Sequence, residues 1–180
     1  MKRAWLGALV ALSTLGCNSA SNETHSGDTN TEVDMAHAGP TMNFHRINAD
    51  LVTGGHLTSE RSVEVLKEQG VTLVIDLRDE PPEGHKERLE AAGIRWENVP
   101  VVWSNPKLAD YTAFSALMSE NHGEHILVQC QANYRASAMT YAYRARQGGV
   151  PEAEARMDME AVWTPEGRWA DYIGEIFSSQ

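Results

Sequence analysis

Cysteine is nearly absent from this chain: Cys17 and Cys130 are the only two in 180 residues. A fold stapled by several disulfides is therefore excluded. Cations are scarce as well, with 15 Lys and Arg against 25 Asp and Glu and a formal net charge of −10. Such an acidic chain is a poor partner for nucleic acid or an anionic membrane surface, and no nucleic-acid partner is expected. Any anion site has to be local, built from N–H groups and one or two arginines. The seven histidines are scattered without metal-ligand spacing, so no metal and no cofactor is expected. The N-terminal apolar run, Ala4 to Leu15, is about 12 residues long, where a spanning helix needs about 20.

That run follows the basic Met1-Lys-Arg and reads as an export signal. It ends in Leu12-Ser-Thr-Leu-Gly-Cys17, which resembles a bacterial lipoprotein signal. The resemblance implies a signal over residues 1–16 and lipidation of Cys17. The protein would then be exported and lipid-anchored in a bacterial cell envelope, on the periplasmic side, touching the membrane only through that anchor. Removing the signal takes Lys2 and Arg3 but no acid, so the formal charge moves from −10 to −12. Residues 17–42 are polar and nearly free of large apolar side chains, the composition of a flexible tether. The folded domain is expected over 43–180. With Cys17 lipidated, Cys130 is its only thiol.

Strand and helix signals alternate from there. Phe44 to Val52 reads as extended, ended by Gly54-Gly55, and Thr58 or Ser59 opens a helix to Gln69. Val71 to Leu77 is a buried-strand run, and Pro81-Pro82 opens a helix closed by Gly93. Ile94 to Val102 is a strand, Ser104-Asn-Pro106 starts a helix to about Asn121, and Ile126 to Val128 is again a strand. Arg135 to Gln147 is helical, and two final helices start at Pro151 and Thr164-Pro165. Strands separated by helices predict an α/β three-layer sandwich, a mainly parallel central sheet flanked by helices. Ligands of such sheets bind beyond the strand carboxyl ends.

One of those ends is His125-Ile-Leu-Val-Gln-Cys130-Gln-Ala-Asn-Tyr-Arg135-Ala-Ser137. A strand delivers a cysteine, a short loop follows, and then come an arginine and a helix. Loop N–H groups and a helix N-terminus favour a bound anion, and an arginine fork matches two phosphate oxygens. A thiolate held there is placed to attack an oxyanion ester.

From Asn43 to about Arg146 the chain resembles the dual-specificity-like cysteine phosphatases, in particular a bacterial group related to the phosphatase-like domain of β-lactamase-hydrolase-like proteins. The matching pieces are Leu51 to Thr58, Gly70 to Arg78, Ala92 to Val101 and the Cys130–Arg135 loop. The resemblance implies phosphomonoester hydrolysis, on a phosphorylated small molecule or a phosphoprotein, through a cysteinyl-phosphate. Cys130 would be the nucleophile and Arg135 the phosphate ligand. The N–H groups of Gln131, Ala132, Asn133, Tyr134 and Arg135 would form the cradle, with the Ser137 hydroxyl near the sulfur. Three departures stand out. The loop is Cys-x4-Arg rather than the commoner Cys-x5-Arg, Gln129 replaces the usual His before the cysteine, and Val102-Trp-Ser-Asn105 carries no acid. Asp110 is the candidate general acid, with Asp76 and Asp79 as rivals that also read as strand-end carboxylates. A rhodanese-like sulfurtransferase, working through a cysteine persulfide, and a non-catalytic phosphate-binding module remain alternatives. His56 and His85 read as surface loop histidines, and the sequence leaves oligomeric state open.

Overall fold

A computed structural model describes residues 39–179. The signal over 1–16, Cys17 and the tether up to residue 38 lie outside the described residues. Five strands form one sheet: β1 (His45–Arg46), β2 (Leu51–Gly54), β3 (Leu73–Asp76), β4 (Arg95–Asn98) and β5 (Ile126–Gln129). Six helices join them among the described residues: α1 (Ser62–Glu68), α2 (His85–Ala91), α3 (Leu108–Glu120), α4 (Tyr134–Arg146), α5 (Glu152–Glu160) and α6 (Arg168–Ser178). The sheet order is β1-β2-β5-β3-β4, with β1 antiparallel to β2 and every other pair parallel.

Side chains alternate across a strand, and here both faces are covered. Leu73, Ile75, Ile126 and Val128 pack against α3 to α6, through Phe114, Met139, Met159 and Tyr172 among others. Val74 and Leu127 face the other way, onto Val63 and Leu66 of α1 and Leu89 of α2. This is the three-layer α/β sandwich that the sequence pattern predicts. Among the described residues no helix is long and apolar enough to cross a membrane.

Three local departures have visible causes. The Phe44–Val52 stretch is not one strand but a tight turn between β1 and β2, because Asn48 Oδ1 accepts from both Asp50 N and Leu51 N at 2.9 Å. The first helix begins at Ser62, three residues late, because Ser59 N donates to Ser62 Oγ and holds a turn ahead of it. Thr41 and Met42, placed in the tether by composition, belong to the folded unit. Thr41 is buried and bridges to Leu57, and Met42 N donates to His56 O at 2.9 Å.

The register fixes where the candidate site falls. Gln129 is the last residue of β5 and lies between Gly54 of β2 and Asp76 of β3. The next peptide is still held, by Cys130 N donating to Gly54 O at 3.0 Å and Leu77 N donating to Gln129 O at 2.7 Å. Cys130 therefore leaves the sheet at the centre of its carboxyl edge.

Candidate active site

Cys130 is 1% exposed and sits at the base of the loop. Behind it lies a buried polar cluster. Arg78 forks onto Asp76 through Nε (2.9 Å to Oδ1) and Nη2 (2.6 Å to Oδ2), and both residues are buried. Gln129 Nε2 donates to Gly55 O at 2.9 Å, which leaves its Oε1 to accept from His85 Nε2 at 2.9 Å. His85 is thus a core residue rather than a surface one, because the amide at the position before Cys130 gives its ring a partner. Burial is the main cause that lowers the His85 pKa below 6.5, and the nearby Arg78 charge adds to it. The ring is therefore neutral, and its 3.7 Å approach to Asp76 is not an ion pair at neutral pH.

The loop itself turns at Asn133, whose φ of 69° places it in the left-handed region that Asn tolerates better than most residues. Asn133 is also the residue before α4, a helix of 13 residues whose N-terminus opens onto the loop. Gly55 lets the loop lie close. A Cβ there would stand 2.7 Å from Gln131 O and 3.0 Å from Ala132 Cα. Among the described residues, the N–H groups of Gln131, Ala132, Tyr134 and Arg135 donate to no protein acceptor, so four donors of the expected cradle are free.

Arg135 is 6% exposed and fixed at one end of its fork. Nη1 donates to Asp79 Oδ1 at 2.8 Å and to Val101 O at 2.7 Å. The Nε and Nη2 edge is left for a ligand. Asp79 is 39% exposed, and its pKa is lowered, chiefly by the Arg135 hydrogen bond. Asp110 has a different occupation. Its Oδ2 accepts from Lys107 N at 2.9 Å in the cap of α3. Asp76 is held by Arg78. Of the three carboxylates considered, only Asp79 touches the arginine of the loop. Nothing in its neighbouring residues marks that contact, since the two are 56 positions apart.

Ser137 is buried, and its hydroxyl is already engaged. It donates to Tyr134 O at 3.1 Å and meets Trp163 Nε1 at 3.1 Å. Trp163 stacks on the Tyr134 ring at 4.9 Å, and Trp103 lies 5.7 Å from Trp163. Trp103 and Tyr134 are 44% and 36% exposed, so an aromatic wall rims the loop. Among the described residues no three His, Cys, Asp or Glu side chains are grouped to hold a metal ion.

Known proteins share both the sequence pattern and the fold. The family model described as a DSP-PTPase phosphatase fused to NAD+ kinase matches residues 30–170. A DUF442 protein of Shewanella putrefaciens CN-32 with a phosphatase assignment is 31% identical over 76% of this chain and 91% of its own, with a TM-score of 0.65. The core catalytic domain of the S. cerevisiae PP-IP phosphatase SIW14 shares the fold at 15% identity, over 78% of this chain and 87% of its own, with a TM-score of 0.64. Pseudomonas aeruginosa TpbA, solved as a cysteine-to-serine variant in complex with phosphotyrosine, shares it at 17% identity, over 77% and 90%, with a TM-score of 0.60. None of the curated proteins matches the chain.

Proposed function

The chain belongs to the dual-specificity-like (DSP-PTPase) phosphatases, and on that premise we propose that it hydrolyses phosphomonoesters through a cysteinyl-phosphate on Cys130. The observation that carries this reading is the loop. A thiol at its base, four free N–H donors and one open guanidinium edge belong to the six residues, 130–135, that lead into α4. Sγ, as the thiolate, attacks phosphorus in line with the ester oxygen. The P–O ester bond breaks, and its electron pair leaves with the oxygen, which takes up a proton. Water then attacks phosphorus, the S–P bond breaks, inorganic phosphate departs, and the thiolate returns. Arg135 and the loop donors bind the phosphoryl oxygens most strongly when their charge is greatest, in the transition state.

Neither Asp110 nor Asp79 is poised to protonate the leaving oxygen. Asp110 is engaged in the cap of α3, and Asp79 is ionised at neutral pH through its contact with Arg135. Leaving groups that depart as stable anions need no proton, so aryl phosphates should turn over faster than alkyl phosphates.

The test uses the full chain with an aryl phosphate, comparing wild type, Cys130→Ser and Arg135→Lys. Cys130→Ser is expected at background, and Arg135→Lys down by about a hundredfold or more, since a point charge replaces a fork. Acid quenching should trap a phosphorylated protein from wild type alone. Turnover that survives in Cys130→Ser sinks the mechanism. Phosphate binding without turnover favours the non-catalytic module, and sulfur transfer from thiosulfate to cyanide favours the sulfurtransferase.

A further inference from the structure

A loop can turn its N–H groups inward only if its carbonyl groups are held outward. Each carbonyl from Gln131 to Tyr134 has a holder. Gln131 O accepts from His56 N at 2.9 Å, and Asn133 O accepts from Ser137 N at 2.9 Å. Tyr134 O accepts from Trp163 Nε1 at 3.0 Å and from the Ser137 hydroxyl. Ala132 O accepts from Asn43 Nδ2 at 3.0 Å. The last holder is the unexpected one. Asn43 lies 89 positions earlier, in the segment before β1, and is itself an exposed residue.

The contact is returned. Asn133 Nδ2 donates to Asn43 O at 2.6 Å. Asn43 and Asn133 are also the only non-glycine residues with positive φ among the described residues, at 49° and 69°. The backbone of the Asn43 segment is in turn fixed to the Gly55-His56 stretch beneath the loop. Gly55 N donates to Met42 O at 2.7 Å, and Met42 N donates to His56 O. Two left-handed asparagines thus clasp each other across the edge of the candidate site. Holding Ala132 O sets the plane of the Ala132–Asn133 peptide. That plane sets the left-handed turn from which the Tyr134 and Arg135 N–H groups emerge.

We propose that Asn43 is a positioning residue of the phosphate site, which shapes the loop without touching the ligand. The proposal rests on the reading of 130–135 as an oxyanion cradle. Glycine keeps the positive φ of Asn43 without its donor, and aspartate keeps the shape but presents an acceptor to Ala132 O. Tungstate binding to the full chain, measured by calorimetry, is expected to weaken about three- to tenfold in Asn43→Gly, the size of one hydrogen bond, and further in Asn43→Asp. Aryl-phosphate turnover should show KM raised in step with the tungstate Kd. Val63→Ala, in the core cluster beneath α1 and α2, should lower thermal stability yet bind tungstate as wild type does. If wild type binds tungstate and both Asn43 variants bind it equally well, the proposal is overturned. The same holds if Val63→Ala loses as much affinity as they do. A wild type that neither binds tungstate nor turns over phosphoester overturns the cradle reading itself.

Discussion

Arg135 is held by a group that would oppose the phosphate proposed for it. Asp79 orients the guanidinium through Nη1, yet its negative charge stands beside the place where phosphate oxygens would sit. The two effects are separable. Asparagine keeps an acceptor oxygen on Nη1 and removes the charge, so Asp79→Asn should lower KM for an aryl phosphate by about threefold, within the range of an exposed charge contact. The lowered Asp79 pKa keeps it ionised through the neutral range, so the pH–rate profile of Asp79→Asn should keep the wild-type shape there. An acidic limb that vanishes in the variant would instead make Asp79 the proton donor. For stability, a depressed carboxyl pKa contributes above the unfolded value, and that contribution is lost as pH falls through the folded one. The partial exposure of Asp79 keeps it small.

Among the elements, β3, β5 and α2 are joined by one buried polar cluster, with His85 reaching from the helix to Gln129 on the strand. Because burial lowers the His85 pKa below 6.5, the unfolded chain binds this proton more readily than the folded one. The contribution of His85 is therefore fully present above about pH 6.5 and lost as pH falls toward the folded value. Melting temperature should drop on acidification below that point, and His85→Gln should flatten the drop. An unchanged slope would show that His85 does not titrate there. The strands of this layer were legible in the sequence because Val71 to Leu77 and Ile126 to Val128 are continuous apolar runs, which only a sheet covered on both faces can bury. The Cys130 loop was legible because its chemistry lies within a few consecutive residues. His85 and the Asp79–Arg135 contact were not, since each gains its meaning from a partner tens of positions away. The β1–β2 turn was missed for a local reason: one side-chain oxygen, that of Asn48, closes it.

At the scale of the molecule, the chain carries 25 acids against 15 Lys and Arg, while the candidate site offers one open guanidinium edge. An anionic substrate is repelled on approach, and salt screens repulsion over roughly 10 Å at 0.1 M ionic strength. Raising salt should therefore increase kcat/KM for a phosphoester until anions of the salt compete for the loop. A steady fall from the lowest salt upward would mean that local attraction dominates the field. The sheet order has a different consequence, in the time taken to build the site. β5 lies between β2 and β3, yet it is made long after both, so β2 and β3 have no direct pairing to bring them together first. Until residues 126–129 emerge, each presents an unpaired edge, and closing the gap demands contacts of large sequence separation. Insertion of that last strand completes the sheet and delivers the cysteine to its carboxyl edge in the same event. A nascent or truncated chain that ends before residue 126 has neither the closed sheet nor Cys130.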